Sequence, residues 1–229
     1  MPQGPWERVA GDFFGPLDDG TYWFVNICEY SRFPLVDKIT STAAIKVIPL
    51  LRHIFSVFGT PDIYKSDNGP PFFSWEFAQF ADEYDFKHQK STPYWPRANG
   101  DAENFMKNLG KILKVAKINK KNKDTALSNF LRTYRATPHT ATKFAPAMLL
   151  MGYSRTSGIP MVNDNISGKS HELIHQQAIL NDEVAKKRMQ VEYDYRMKVR
   201  EPRIREGDLI LLNLAKKNKC TPRWDPNPY

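Results

Sequence analysis

Residues 6–15 read WERVAGDFFG, an aromatic and apolar run with one acid, Asp12, in its interior. The run predicts a β-strand. Residues 22–30, YWFVNICEY, predict a second, and Asp18-Asp19-Gly20 between them is a hairpin turn signal. A third short strand is expected over 34–38. The apolar positions Ala44, Val47, Ile48, Leu51, Ile54, Phe55 and Phe58 then recur at helical spacing up to Gly59. Ser41-Thr42 offers an N-cap for this helix, and Pro49 inside it predicts a kink or irregular turn. Further on, a strand is expected over 62–66, a helix over 74–85 capped by Ser74, and a strand over 86–91. Helices are expected over 101–118, 124–136, 145–151 and 171–199, with a Gly/Ser/Asn/Pro-rich linker over 152–170.

Asp12 is one of three acids whose positions stand out. Asp67 ends the strand at 62–66, immediately before Asn68-Gly69. Glu103 falls in the first turn of the helix that follows Asn99-Gly100. Thirty-five residues separate Asp67 from Glu103. A carboxylate inside an apolar strand needs a partner, because an unpaired buried charge costs several kcal/mol. Three acids brought together would repel one another, and oxygen-ligated Mg²⁺ or Mn²⁺ relieves that repulsion.

Composition narrows the class. The 229 residues are 41% hydrophobic and 25% charged, which excludes a disordered or collagen-like chain. No apolar run is long enough for a membrane span, and the N-terminus lacks the layout of a secretory signal. Two cysteines, Cys28 and Cys220, do not make a disulfide scaffold, and Cys28 reads as a small buried hydrophobe. The net charge of +8 is unevenly placed. Residues 1–106 hold nine Lys/Arg against fourteen Asp/Glu, whereas residues 107–143 hold ten against one. Such a basic segment is the footprint of a polyanion partner, with a solvated surface as the competing reading.

Three stretches resemble the catalytic core of retroviral and LTR-retrotransposon integrases, above all the gypsy-type elements and the host genes derived from them. They are GDFFGPL at 11–17, SDNGPPFFSWEF at 66–77 and TPYWPRANGDAENFMKNLGK at 92–111. Asp12, Asp67 and Glu103 match that family's signature of two Asp and one Glu. The resemblance covers about residues 4–155 and continues weakly into 203–229, where REGDLILL and DPNPY look like the start of an SH3-like unit. It implies three parts: an integrase core over 1–155, a linker and long helix over 156–202, and the truncated start of an SH3-like C-terminal domain over 203–229. The implied fold is α/β, RNase H-like, with a mixed five-stranded sheet flanked by helices. The family's N-terminal zinc domain would precede residue 1, so the chain is expected to be a fragment or truncated product.

The resemblance also implies a chemistry. It is a two-metal phosphoryl transfer that processes the 3′ ends of element DNA and joins them to target DNA, with two Mg²⁺ or Mn²⁺ ions held by Asp12, Asp67 and Glu103. Asp12 would bridge both ions. Lys107, Lys111 and Lys114 lie on Glu103's side of the helix and are expected to contact DNA. Tyr94 and Asn99, in the loop before Glu103, are the remaining DNA-contact candidates. The family's second basic position on this helix is Gly110 here, so Lys111 is expected to stand in. His171 and His175 stand four apart, but no third ligand is near enough in sequence to make them a metal site. Implied partners are DNA and further copies of the chain, with no membrane, and the implied location is intracellular, nuclear at the point of action. The competing readings are a host-captured DNA-binding protein that has lost catalysis and another RNase H-like nuclease or transposase.

Overall fold

The computed structural model describes residues 1–91, 100–153, 170–199 and 207–209. The chain runs β1 (Arg8–Phe14), β2 (Tyr22–Cys28), β3 (Pro34–Ile39), α1 (Ala44–Phe58), β4 (Ile63–Ser66), α2 (Trp75–Glu83), β5 (Lys87–Lys90), α3 (Gly100–Ile118), α4 (Lys123–Ala136), α5 (Pro146–Met151) and α6 (His171–Met197). The five strands form one sheet in the order β3-β2-β1-β4-β5. The hairpin and β3 are antiparallel, and β4 and β5 join parallel to β1. This is the RNase H-like mixed sheet implied by the resemblance, and it puts Asp12 on the central strand.

Alternation along the strands sorts the side chains into two layers. Val9, Phe13, Phe24 and Tyr64 face α1, α2 and α5 in the larger core. Phe14, Trp23, Val25 and Ile27 face α3 and α4, where Ala102, Phe105, Leu109, Leu127 and Leu131 pack against them. Cys28 is fully buried and its Sγ accepts from the Trp6 backbone N–H at 3.2 Å. The 18–20 turn closes as expected, with Leu17 N–H donating to Thr21 O and Gly20 at φ 76°.

One local expectation fails in α1. Ser41 and Thr42 do not cap it. Ser41 Oγ instead accepts from the Ala43 N–H in a tight turn, and Ala43 becomes the N-cap without a side-chain bond. Pro49 lies inside the helix, which runs on through it without an irregular turn. It lies on the exposed side, and Ile45, whose carbonyl loses its intrahelical partner, is also exposed, so water can satisfy that group. Ser74 does cap α2, its hydroxyl accepting from the Phe77 N–H.

The residues group into two compact units, Met1–Lys187 and Arg188–Tyr229. In the first, the opening turns of α6 bury Ile174, Ala178 and Asp182. Asp182 is paired there with Arg32 at 2.9 Å and Lys186 at 2.7 Å. Of the second unit, the described residues are the last turns of α6 and residues 198–199 and 207–209, so most of the expected SH3-like start at 203–229 lies outside them.

Candidate active site

The parallel register of β1 and β4 builds the site. Arg8 lies opposite Ile63, Val9 opposite Tyr64 and Ala10 opposite Lys65. Continued by two residues, the same register sets Asp67 beside Asp12. Asp12 feels the charge of Asp67. Burial pushes the Asp12 carboxyl above the usual carboxylate range, and the charge of Asp67 pushes it further, against the opposing bond from the Phe13 N–H. That N–H donates to Asp12 Oδ1 at 2.7 Å, and the Gly69 N–H donates to Asp67 Oδ1 at 3.0 Å. Each carboxylate is thus oriented by one backbone bond and keeps its second oxygen unbonded among the described residues.

The ground beneath the acids is equally specific. Gly11 is buried, and a Cβ there would overlap Tyr64 Oη and lie 2.6 Å from Tyr64 Cζ. Only a residue without a side chain lets the phenol cross β1. There it donates to Asn26 Oδ1 at 2.7 Å, from a site so enclosed that the phenol pKa rises well above its ordinary value, through burial first and the Asp12 charge second. On the other flank, Ser66 Oγ donates to Asp67 O at 2.9 Å and lies 2.8 Å from His88 Nε2. The hydroxyl has one proton and gives it to the carbonyl, so His88 Nε2–H must donate to Ser66 Oγ. This fits a neutral ring, since burial and then Lys90 lower the His88 pKa to about 4. Neither Tyr64 nor His88 stands out along the sequence as a site residue. The Gly11-Asp12 step was the one sequence signal for the first, and nothing local marks the second.

Glu103 stands in the first turn of α3, next to buried Ala102; its side chain lies outside the described residues. α3 is seated on β1, with Gly110 against the Phe14 ring. The helix therefore starts on the face of the sheet that Asp12 occupies. Lys107, Lys111 and Lys114 are all exposed along it. Tyr94 and Asn99 lie outside the described residues. Lys117 and Lys123 also join this surface, both holding Asp18, at 3.1 and 3.4 Å.

His171 and His175 form a structural pair. Their Nε2 atoms lie 3.4 Å apart, and His175 Nδ1 is bonded to the Tyr30 hydroxyl. Among the described residues no three His, Cys, Asp or Glu side chains form a metal-binding group. Asp12 and Asp67 supply two hard oxygen donors of like charge, half-buried and exposed respectively, which is a donor set suited to Mg²⁺ or Mn²⁺. No helix among the described residues is long and apolar enough to cross a membrane.

Comparison with known proteins bears on the whole arrangement. Residues 2–96 match the family model described as integrase core domain. An uncharacterized protein of Caenorhabditis elegans is 37% identical over 141 residues, covering 62% of this chain and 11% of that protein. The transposon Tf2-3 polyprotein of Schizosaccharomyces pombe is 24% identical over 238 residues, covering 96% of this chain and 18% of the polyprotein. The chain thus spans under a fifth of the length of these relatives. Among solved structures, a chain of the simian T-cell lymphotropic virus intasome superposes with a TM-score of 0.59 at 22% identity, over 73% of this chain and 62% of that one. The HTLV-2 integrase catalytic core domain in complex with magnesium superposes at 0.53 with 19% identity, over 64% of this chain and 97% of that one. At such identities these two likenesses speak for the fold.

Proposed function

Because residues 2–96 belong to the integrase core domain family, we propose that this chain is the core of a divalent-metal-dependent DNA strand transferase. Its reaction is phosphoryl transfer at the ends of element DNA and joining of those ends to target DNA. The observation that carries this reading is the approach of Asp12 and Asp67. Two carboxylates approach from neighbouring strands, with Asp67 just past the end of β4, and the Asp12 carboxyl is pushed above its usual range by burial first and by the Asp67 charge in addition. A fold maintains such repulsion at a cost, and a cation removes it.

The roles follow from placement. Asp12, fixed by the Phe13 N–H on the central strand, holds the middle of the site. Asp67, fixed by the Gly69 N–H, closes one side, and Glu103 is assigned the third ligand position from α3. Divalent cations, when bound there, lower the pKa of an attacking hydroxyl and neutralise charge on the leaving oxygen. The exposed lysines of α3 hold phosphates beside the acids. DNA and further copies of this chain are the partners of this reading, and the nucleus is where it acts.

The test is a strand-transfer assay with Mg²⁺ or Mn²⁺ on duplexes that end in terminal-repeat sequence, alongside Asp67→Asn. Joined product from the parent chain and none from the variant, with equal DNA binding by both, is the expected result. Duplex binding by the parent without any joining in either metal would favour the host-captured, non-catalytic reading instead.

A further inference from the structure

Away from the acids, the sheet carries a pocket of about 190 Å³ whose wall is mostly charged. Arg8 of β1, Arg32 of the β2–β3 turn, Lys65 of β4 and Lys186 of α6 line it, with Glu29 among them. Glu29 is divided between two cations, Arg8 Nε and Lys65 Nζ, each at 3.3 Å. Asp182 is divided in the same way between Arg32 at 2.9 Å and Lys186 at 2.7 Å. Arg8 Nε is buried and makes no hydrogen bond, its contact with Glu29 being ionic only. Arg8 is four residues before Asp12 on β1, and Lys65 is two before Asp67. The pocket therefore sits about 7–13 Å back along these strands from the acids.

Lysine is seldom buried unless it is paired, yet the Lys65 side chain is 11% exposed and shares Glu29 with Arg8. The Arg32 side chain is 4% exposed. Cations crowded into a wall shielded from water repel one another, and an anion in the space they enclose relieves that repulsion. Size and reach define the anion. The space is smaller than the roughly 300–1,000 Å³ of a cleft for drug-sized ligands. It suits a compact group with several acceptors, because the donors come from β1, β4 and α6 at once. Phosphate carries two charges and strong acceptor oxygens that match guanidinium and ammonium donors. The backbone of a duplex stays outside so small a pocket, and each of its phosphodiesters bears a single charge.

We propose that this pocket binds a phosphate dianion, either the free ion or the terminal group of a small phosphomonoester. Arg8 and Lys65 donate to it from the sheet, and Lys186 donates from α6. The bound anion ties the opening turns of α6 to β1 and β4, elements distant from it in sequence. Asp12, Asp67 and the lysines of α3 take no part, so the proposal stands apart from the strand-transferase reading.

The full chain is titrated calorimetrically with potassium phosphate, free of divalent metal and above the second pKa of phosphate, against potassium chloride of equal ionic strength. Arg8→Gln and Lys186→Gln each remove one cation at a partly exposed position, and Glu29→Gln removes the competing acid. The parent is expected to bind one phosphate, and each of the first two variants about tenfold more weakly, since a hydrogen bond to a charged group contributes about that factor. Glu29→Gln is expected to bind more tightly than the parent, a gain that misfolding cannot produce. Phosphate should also slow hydrogen exchange in the opening turns of α6 in the parent and not in Lys186→Gln. Glycerol phosphate separates the two sources: binding tighter than that of the free ion assigns the site to a phosphomonoester, and weaker binding assigns it to the ion. No uptake of phosphate over chloride, by heat or by exchange, overturns the proposal. So does phosphate binding that is equal in the parent and all three variants. A duplex without terminal phosphates that displaces phosphate, and whose own binding Arg8→Gln and Lys186→Gln weaken, would make the pocket part of a DNA path and overturn it too. The strand-transferase reading survives any of these failures, because its own assay depends on Asp67 and not on this pocket.

Discussion

The phenol of Tyr64 passes over Gly11 to reach Asn26 Oδ1 at 2.7 Å, linking β4, β1 and β2 directly beneath Asp12. The contact depends on the missing side chain. Gly11→Ala would force the ring or the strands apart, and overpacking of this kind costs about 1–3 kcal/mol. Tyr64→Phe keeps the ring but leaves buried Asn26 short of a partner, which costs about 1–3 kcal/mol. Denaturant unfolding of both variants checks this, and a Gly11→Ala protein as stable as its parent would contradict it.

Asp12 should weaken the metal-free fold at neutral pH. Its folded-state pKa is raised by burial and by Asp67. A raised pKa contributes stability below the unfolded value, and that contribution is lost as pH rises through the folded value. At pH 7 the charged form therefore opposes folding. Asp12→Asn is expected to melt higher than the parent by a few degrees at neutral pH while losing strand transfer altogether. Thermal melts at pH 7 and pH 3 test the sign, because the advantage should shrink in acid. Added Mn²⁺ should raise the melting temperature of the parent and not that of the variant.

His88 has the opposite linkage. Its folded-state pKa is lowered to about 4 by burial, against an ordinary value of 6.5. The neutral ring then contributes stability that is full above pH 6.5 and is lost as pH falls toward about 4. Protonation would also leave Lys90 facing a second cation. His88→Gln can still donate to Ser66 Oγ and does not titrate, so its melting temperature should fall less than the parent's over that interval. NMR titration of the ring gives the pKa directly, and an ordinary value would remove the neutral-donor assignment.

Arg32 and Asp182 form a buried pair, with side chains 4% and 1% exposed. Burial pushes the Asp182 carboxyl up, but Lys186 and Arg32 together outweigh it and hold the pKa below its ordinary value. Asp182→Ala strands the guanidinium away from water, and breaking a buried pair from one side costs about 3–5 kcal/mol. The first turns of α6 should lose hydrogen-exchange protection in that variant before the sheet does. A loss under 1 kcal/mol would mean that water replaces the carboxylate (about the worth of an exposed pair).

The lysines of α3 are predicted to act through phosphates. Replacing Lys107, Lys111 and Lys114 together by Ala should flatten the slope of log affinity against log salt by about 2–3 units. Their removal should change thermal stability little, because exposed charges contribute about 0–1 kcal/mol. An unchanged salt slope would move the DNA path off this helix.

Much of this was legible along the chain. The strand, hairpin and helix periodicities are local, and the observed elements fall within two residues of the expected ends. Asp12, Asp67 and Glu103 were marked by acids at odd places in apolar or turn sequence and by their spacing. The failure in α1 was also local. Ser41 found the Ala43 N–H before it could reach a helix terminus, and Pro49 faces water, where the Ile45 carbonyl it leaves without a helical partner can be hydrated.

What the sequence determined by itself was the order of elements, the acids and the uneven charge, because each is carried by neighbours in the chain. The tertiary structure decided which elements meet. The parallel register of β1 and β4 sets Asp12 beside Asp67. It also lays Tyr64 over Gly11, while β5 brings His88 to Ser66. Lys117, Lys123 and Asp18 reach one cleft only because α3 packs across the hairpin, with Gly110 against Phe14. These contacts join residues from about 20 to more than 100 positions apart. No local pattern encodes them, because they arise from burying two faces of one sheet at once.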